Sequence, residues 1–82
     1  MQYTYEPKGV CAREMRFTLQ DGVVTALSVR GGCDGNLQGL ARLVEGMPAE
    51  EVIARLEGIS CAGKSSSCPD QLAQALRKAV FL

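Results

Sequence analysis

Apolar and polar residues alternate through the stretch after Arg13: Met15, Phe17 and Leu19 are interleaved with Glu14, Arg16 and Thr18. Period two is the signature of a half-buried β-strand. Asp21-Gly22 is a hairpin turn signal, and a return strand runs from Val23 to Arg30 with Leu27 and Val29 as its main apolar positions. Tyr3 to Tyr5, before Pro7 and Gly9, reads as a short edge strand. After Gly31-Gly32 and Gly35 the period changes. Leu37, Leu40, Ala41 and Val44 recur at helical spacing behind Asn36, a suitable N-cap, and Gly46 ends that helix. Pro48 is expected as the first residue of a second helix, with Glu50 and Glu51 in its first turn and Val52, Ile53 and Leu56 facing inward. Gly58 closes it. A polar loop, Ser60 to Ser67, leads to a third helix with Cys68 as N-cap, Pro69 as first residue and Asp70 in the first turn. Leu72, Ala75, Leu76, Ala79 and Val80 form its apolar stripe. Strands come first and helices after, which predicts an α+β fold: a three-stranded antiparallel sheet followed by three helices.

The hairpin register is set by matching apolar faces. A three-residue loop, Asp21-Gly22-Val23, pairs Met15 with Val29 and Phe17 with Leu27, whereas a two-residue turn sets Leu27 and Val29 on the face of Glu14 and Arg16. Extended, the first register sets Cys11 opposite Cys33, with directly paired Cβ atoms roughly 5 Å apart.

Composition narrows the function classes. With 82 residues, 1–82 is read as a single domain whose core is marginal for its size. Nine basic and nine acidic residues cancel, with no run of like charge, so neither nucleic acid nor a membrane surface is an expected partner. No apolar stretch is long enough to span a bilayer, and Met1 to Val10 lacks the apolar core of a signal peptide. A cytoplasmic, reducing location is expected, which turns four cysteines toward metal or redox roles and away from stable disulfides. The chain has no histidine. That excludes Cys-His and Ser-His-Asp nucleophiles and every histidine metal ligand, so a transition-metal site here must be built on thiolates.

Cys11, Cys33, Cys61 and Cys68 are therefore the candidate site. Their spacing matches no zinc-finger signature, but their context is informative. Cys33 lies in a glycine-rich turn before a helix and Cys68 at a helix start, where unpaired N–H groups and the helix dipole favour thiolate. Cys61 comes after a helix end, and Ala62-Gly63-Lys64 can fold it toward Cys68. All four fall in turns or element ends, while the apolar stripes use Leu, Val, Ile and Ala. Simple buried cysteines, disulfides pairing Cys11 with Cys33 and Cys61 with Cys68, a metal or cluster site, and thiol redox chemistry are the four readings open to them. Arg13, Arg30 or Lys64 could offset the charge of four thiolates around zinc, although each is more ordinarily a solvated surface charge.

Two other motifs carry less. Residues 58–65 match G-x-x-x-x-G-K-[ST] literally, but a phosphate loop needs a strand before it and a helix running on from Lys64-Ser65. Here a helical pattern precedes it, and Pro69 sits where the helix after Lys64-Ser65 should already be hydrogen-bonded, so NTP binding is not expected. Gly31-Gly32-Cys33-Asp34-Gly35-Asn36 reads as a strand-to-helix turn in preference to an anion nest.

Gly32-Cys33-Asp34-Gly35-Asn36-Leu37, Gly58-Ile59-Ser60-Cys61 and Ser66-Ser67-Cys68-Pro69-Asp70-Gln71-Leu72-Ala73 together resemble the TSCPD domain family, with Ser66 in place of the Thr of its name. The resemblance runs from Gly9 to Val80. The family has short stand-alone members, and its domain also forms the C-terminal part of vitamin B12-dependent ribonucleoside-diphosphate reductases, where its cysteines are proposed metal ligands. By that resemblance the chain could carry a ribonucleotide reductase label, yet 82 residues hold neither a radical barrel nor a cobalamin domain. A more distant similarity is to iron–sulfur scaffolds of the NifU/IscU type, on the order of elements and the places of Cys11, Cys33 and Cys68. Arg13 and Ser67 stand where those scaffolds carry Asp and His, and Cys61 is additional.

The expectation is thus a small accessory domain that is not a catalyst on its own. Its four thiolates hold zinc, or an iron–sulfur cluster as the lesser choice, and its partner is a reductase or a cluster-assembly protein. The alternative is a thiol–disulfide accessory protein using Cys61 and Cys68.

Overall fold

A computed structural model of the chain describes residues 2–7, 10, 12–31, 34–60 and 66–80. Three strands, β1 (Gln2–Tyr5), β2 (Ala12–Gln20) and β3 (Val23–Gly31), precede three helices, α1 (Asp34–Val44), α2 (Ala49–Leu56) and α3 (Cys68–Val80). The sheet is antiparallel in the order β1-β2-β3. This is the α+β fold that the change of period predicts.

The hairpin corrects the expected register. Gln20 pairs with Val23, so the turn has two residues, Asp21 and Gly22, both at positive φ (54° and 77°). That is the pattern of a turn whose twist matches the strands. Met15 nevertheless pairs with Val29, as expected, because the pairing shifts between Arg16 and Thr18. Thr18 faces Thr25 and Arg16 faces Ser28, leaving Phe17 opposite both Ala26 and Leu27. Ala26 sits at φ 54°. A bulge thus does the work assigned to a longer loop: it buries Val24 and Leu27, three residues apart, on one face with Met15 and Phe17. A second shift, between Ala12 and Glu14, lets Ala12 and Met15 both point inward. Among the described residues the last pair is Ala12 with Gly31; the expected Cys11–Cys33 pair lies outside them.

One face of the sheet packs on the helices. Met15, Phe17, Val24, Leu37, Val44, Ala49, Val52, Leu72 and Leu76 belong to one buried cluster, with Tyr3 stacked on Phe17 at 5.6 Å between ring centroids. Backbone bonds fasten the α1–α2 connection to β3: Val24 N–H donates to Met47 O (2.9 Å), Gly46 N–H to Val24 O (2.8 Å) and Ala49 N–H to Gly22 O (2.8 Å). This gives part of the β3 edge hydrogen-bond partners.

The helix starts differ from expectation by one to three residues. α1 begins at Asp34, so Asn36 lies within its first turn, where N–H groups lack intrahelical partners and Gly35 and Asn36 cost little. Pro48 is the N-cap of α2 and not its first residue; its extended backbone (φ −57°, ψ 136°) bridges to Val23 while its carbonyl accepts from Val52 N–H at 3.1 Å. α3 begins at Cys68, and the residue that caps it is Ser67.

Candidate functional site

Ser66-Ser67-Cys68-Pro69-Asp70-Gln71 opens α3, and its polar side chains are buried: Ser66, Ser67, Asp70 and Gln71 are each at most 7% exposed. A buried hydroxyl, amide or carboxylate is costly without partners, and here the partners are one another and two neighbouring elements. Ser67 Oγ accepts from Asp70 N–H (3.1 Å), the standard service of an N-cap to the third helical residue, and donates to the Ile59 carbonyl (2.7 Å). The Ser67 carbonyl takes the first helical bond, from Gln71 N–H at 2.8 Å. The Asp70 carboxylate accepts from Gly58 N–H through Oδ1 (2.8 Å), and from Ser66 Oγ–H (2.5 Å) and Gln74 Nε2–H (2.9 Å) through Oδ2. Gln71 Nε2–H donates to Ser66 Oγ (3.0 Å), and the Tyr5 hydroxyl donates to Gln71 Oε1 (3.2 Å).

This network joins the end of α2, the start of α3 and the end of β1. Its electrostatics suit a carboxylate. The Ser66 hydroxyl first, then the Gly58 N–H and the Gln74 amide, hold Asp70 below the ordinary carboxylate range, against burial, which acts the other way. The N-terminal end of α3 favours the same charge. Farther along α3, Lys78 Nζ lies 5.3 Å from the centre of the Tyr5 ring, fixing the ring that carries the hydroxyl.

Cys68 is the first residue of α3, between the cap and the carboxylate. It is a free thiol, half-buried, and packs on the edge of the core. Among the described residues it takes no hydrogen bond, unlike Ser66, Ser67, Asp70 and Gln71 around it. Cys11, Cys33 and Cys61 lie outside the described residues. Within two positions of the cysteines, Ala12 and Gly31 pair across the sheet, and Ser67 donates a hydrogen bond to the Ile59 carbonyl. The two places are linked through Tyr5, which pairs with Met15 on β2 and bonds to Gln71 on α3. Among the described residues no three Cys, Asp or Glu side chains gather into a metal-holding group. As a donor set, four cysteines without histidine suit a soft or borderline ion such as zinc, or an iron–sulfur cluster. Arg13 and Arg30, two of the proposed counter-charges, are exposed positions on β2 and β3; Lys64 lies outside the described residues.

Reading the sequence as a polar loop ending at Ser67 missed the Ser66, Asp70 and Gln71 network. The signal was present: Ser67-x-x-Asp70 ahead of an apolar run is a capping-box pattern. The phosphate-loop match at 58–65 has the context expected of it, since the element before Gly58 is helix α2.

No curated protein and no solved structure gives a significant match to the chain. The family model of the TSCPD domain matches residues 2–80, nearly the whole sequence. The chain therefore belongs to the TSCPD domain family.

Proposed function

We propose that the protein is a metal-binding accessory module in which the thiolates of Cys11, Cys33, Cys61 and Cys68 hold one zinc ion. The observation that carries this reading is the division of labour in the Ser66–Gln71 segment. Its serines, carboxylate and amide are committed to fastening α3, while the Cys68 thiol among them is free and half-buried. Four thiolates supply all the donors a closed zinc site needs, and no histidine nitrogen competes for the role. Zinc held this way adds folding free energy by tying segments distant in sequence to a small core.

An iron–sulfur cluster is the lesser choice within the same reading. The residue before Cys68, which is His in NifU-type scaffolds, is Ser67 here, and its hydroxyl is already occupied by Asp70 N–H and the Ile59 carbonyl. A partner such as a ribonucleotide reductase or a cluster-assembly protein, and a cytoplasmic location, belong to this proposal. Single Cys→Ser variants test it. Each of the four is expected to lower zinc content and thermal stability together, and a variant keeping full zinc removes its cysteine from the site. Metal-free native protein in which Cys68 alone alkylates rapidly would favour thiol–disulfide exchange by Cys61 and Cys68 instead.

A further inference from the structure

The two edges of the sheet differ. The β3 edge is covered: Val24 N–H donates to Met47 O, the Val24 carbonyl accepts from Gly46 N–H, and Ala26 N–H donates to Glu45 Oε1. These bonds also fix which way each strand turns its backbone. Both groups of Val24 face away from β2, so its partner Leu19 turns its own N–H and C=O away from β3 and toward β1. Alternation along β2 gives Phe17 and Met15 the same direction, since the extra residue at the bulge belongs to β3. Their partners Tyr3 and Tyr5 therefore make the ladder bonds to β2, and Gln2 and Thr4 turn their N–H and C=O groups outward. Both residues are exposed, and among the described residues no hydrogen bond reaches their outward groups. Sheets ordinarily blunt such an edge with charge, proline or a bulge. β1 carries no charge and no proline, and its register with β2 runs without a shift.

We propose that β1 pairs with β1 of a second copy of the chain, antiparallel about a twofold axis at Tyr3, joining two sheets into one. In that register Gln2 of each copy faces Thr4 of the other, and each pair exchanges both of its hydrogen bonds, so every outward group of Gln2 and Thr4 is satisfied. Tyr3 faces Tyr3 at the closer, non-hydrogen-bonded position. It does so on the face where Tyr3 already stacks on Phe17, so the aromatic stack continues across the axis. No like charges meet, because Gln2–Tyr5 holds none. A second copy is selected over an unrelated strand by this self-complementarity: donors, acceptors and rings match their own image under the twofold. The strand is short, so the association belongs to the weak class of small interfaces. It is independent of the thiol site.

The test is sedimentation equilibrium under reducing conditions from about 10 μM to about 1 mM, with amide exchange followed by NMR. Wild type is expected to pass from one chain mass toward two, while the amides of Gln2 and Thr4 become protected in step with the dimer. Thr4→Pro removes an outward donor without breaking a ladder bond, and should fold and remain one chain mass throughout. Two double variants read the register. Gln2→Lys with Thr4→Glu sets opposite charges face to face at both pairs and should tighten the dimer roughly 2–30-fold; Gln2→Lys with Thr4→Lys sets like charges there and should weaken it by a similar factor. Should Thr4→Pro fail to fold, the double variants decide. Wild type that keeps one chain mass at about 1 mM overturns the proposal. A dimer of equal strength in both double variants overturns it as well.

Discussion

Asp70 is where sequence, fold and site meet at the scale of one residue. Its carboxylate accepts three hydrogen bonds at the start of α3 and is held below its usual pKa by them. A group whose folded pKa is depressed contributes stability that is present above its unfolded pKa, about 3.9, and lost as pH falls through the lower folded value. Urea midpoints measured from pH 6 down to pH 2 should therefore fall below about pH 4 in wild type. Asp70→Asn removes that part of the slope. It should also cost about 1–3 kcal/mol at neutral pH, because an amide turns a donor toward partners that themselves donate. Ser67→Ala, which removes the cap, is expected to cost roughly 1 kcal/mol. The place of Cys68 at a helix start was legible to within one residue. The buried roles of Ser66, Asp70 and Gln71 were not, because polar residues in a loop or a first helical turn are ordinarily solvated, and only the Ser67-to-Asp70 interval marks the cap.

Among the elements, the stripes of the helices were readable and the pairing of the hairpin only partly so. Leu37 and Val44 on α1, Val52 and Ile53 on α2, and Leu72, Ala75 and Leu76 on α3 are buried as their spacing implies. Helix starts moved by one to three residues because Pro48 and Asn36 each suit neighbouring positions of a first turn. The strand period hid a bulge: Val24 and Leu27 are both buried, which strict alternation forbids unless one residue between them is extra. Ala26, at φ 54°, marks that place. An alanine in the left-handed region costs roughly 1–2 kcal/mol, more than glycine gives up in backbone entropy. Ala26→Gly is accordingly expected to stabilise the protein by a few tenths to about 1 kcal/mol, read as a higher urea midpoint. In a regular strand the same change would destabilise by roughly 0.5–1 kcal/mol, so the sign decides between bulge and ladder. Val24→Ala tests the register from the other side, with an expected cost of about 1–3 kcal/mol for a fully buried side chain.

At the scale of the molecule, the Cα radius of gyration of 11.4 Å is close to the value for a compact single domain of this length, about 12 Å. No described helix is long and apolar enough to cross a membrane. Small size leaves the core with little margin, so a site that ties the sheet end to the start of α3 would act on the stability of the whole chain. Removing the metal with a chelator should then lower the melting temperature by about 4–8 °C for each kcal/mol that binding contributes. The four-thiolate site is the central claim, and elemental analysis with a visible spectrum tests it most directly, on protein purified without oxygen or chelator. The expected result is about one zinc per chain, one metal for four thiolates, and no visible absorption band. Protein that holds no metal, even after reconstitution with zinc under reducing conditions, would contradict the account and leave thiol exchange as the chemistry of Cys61 and Cys68.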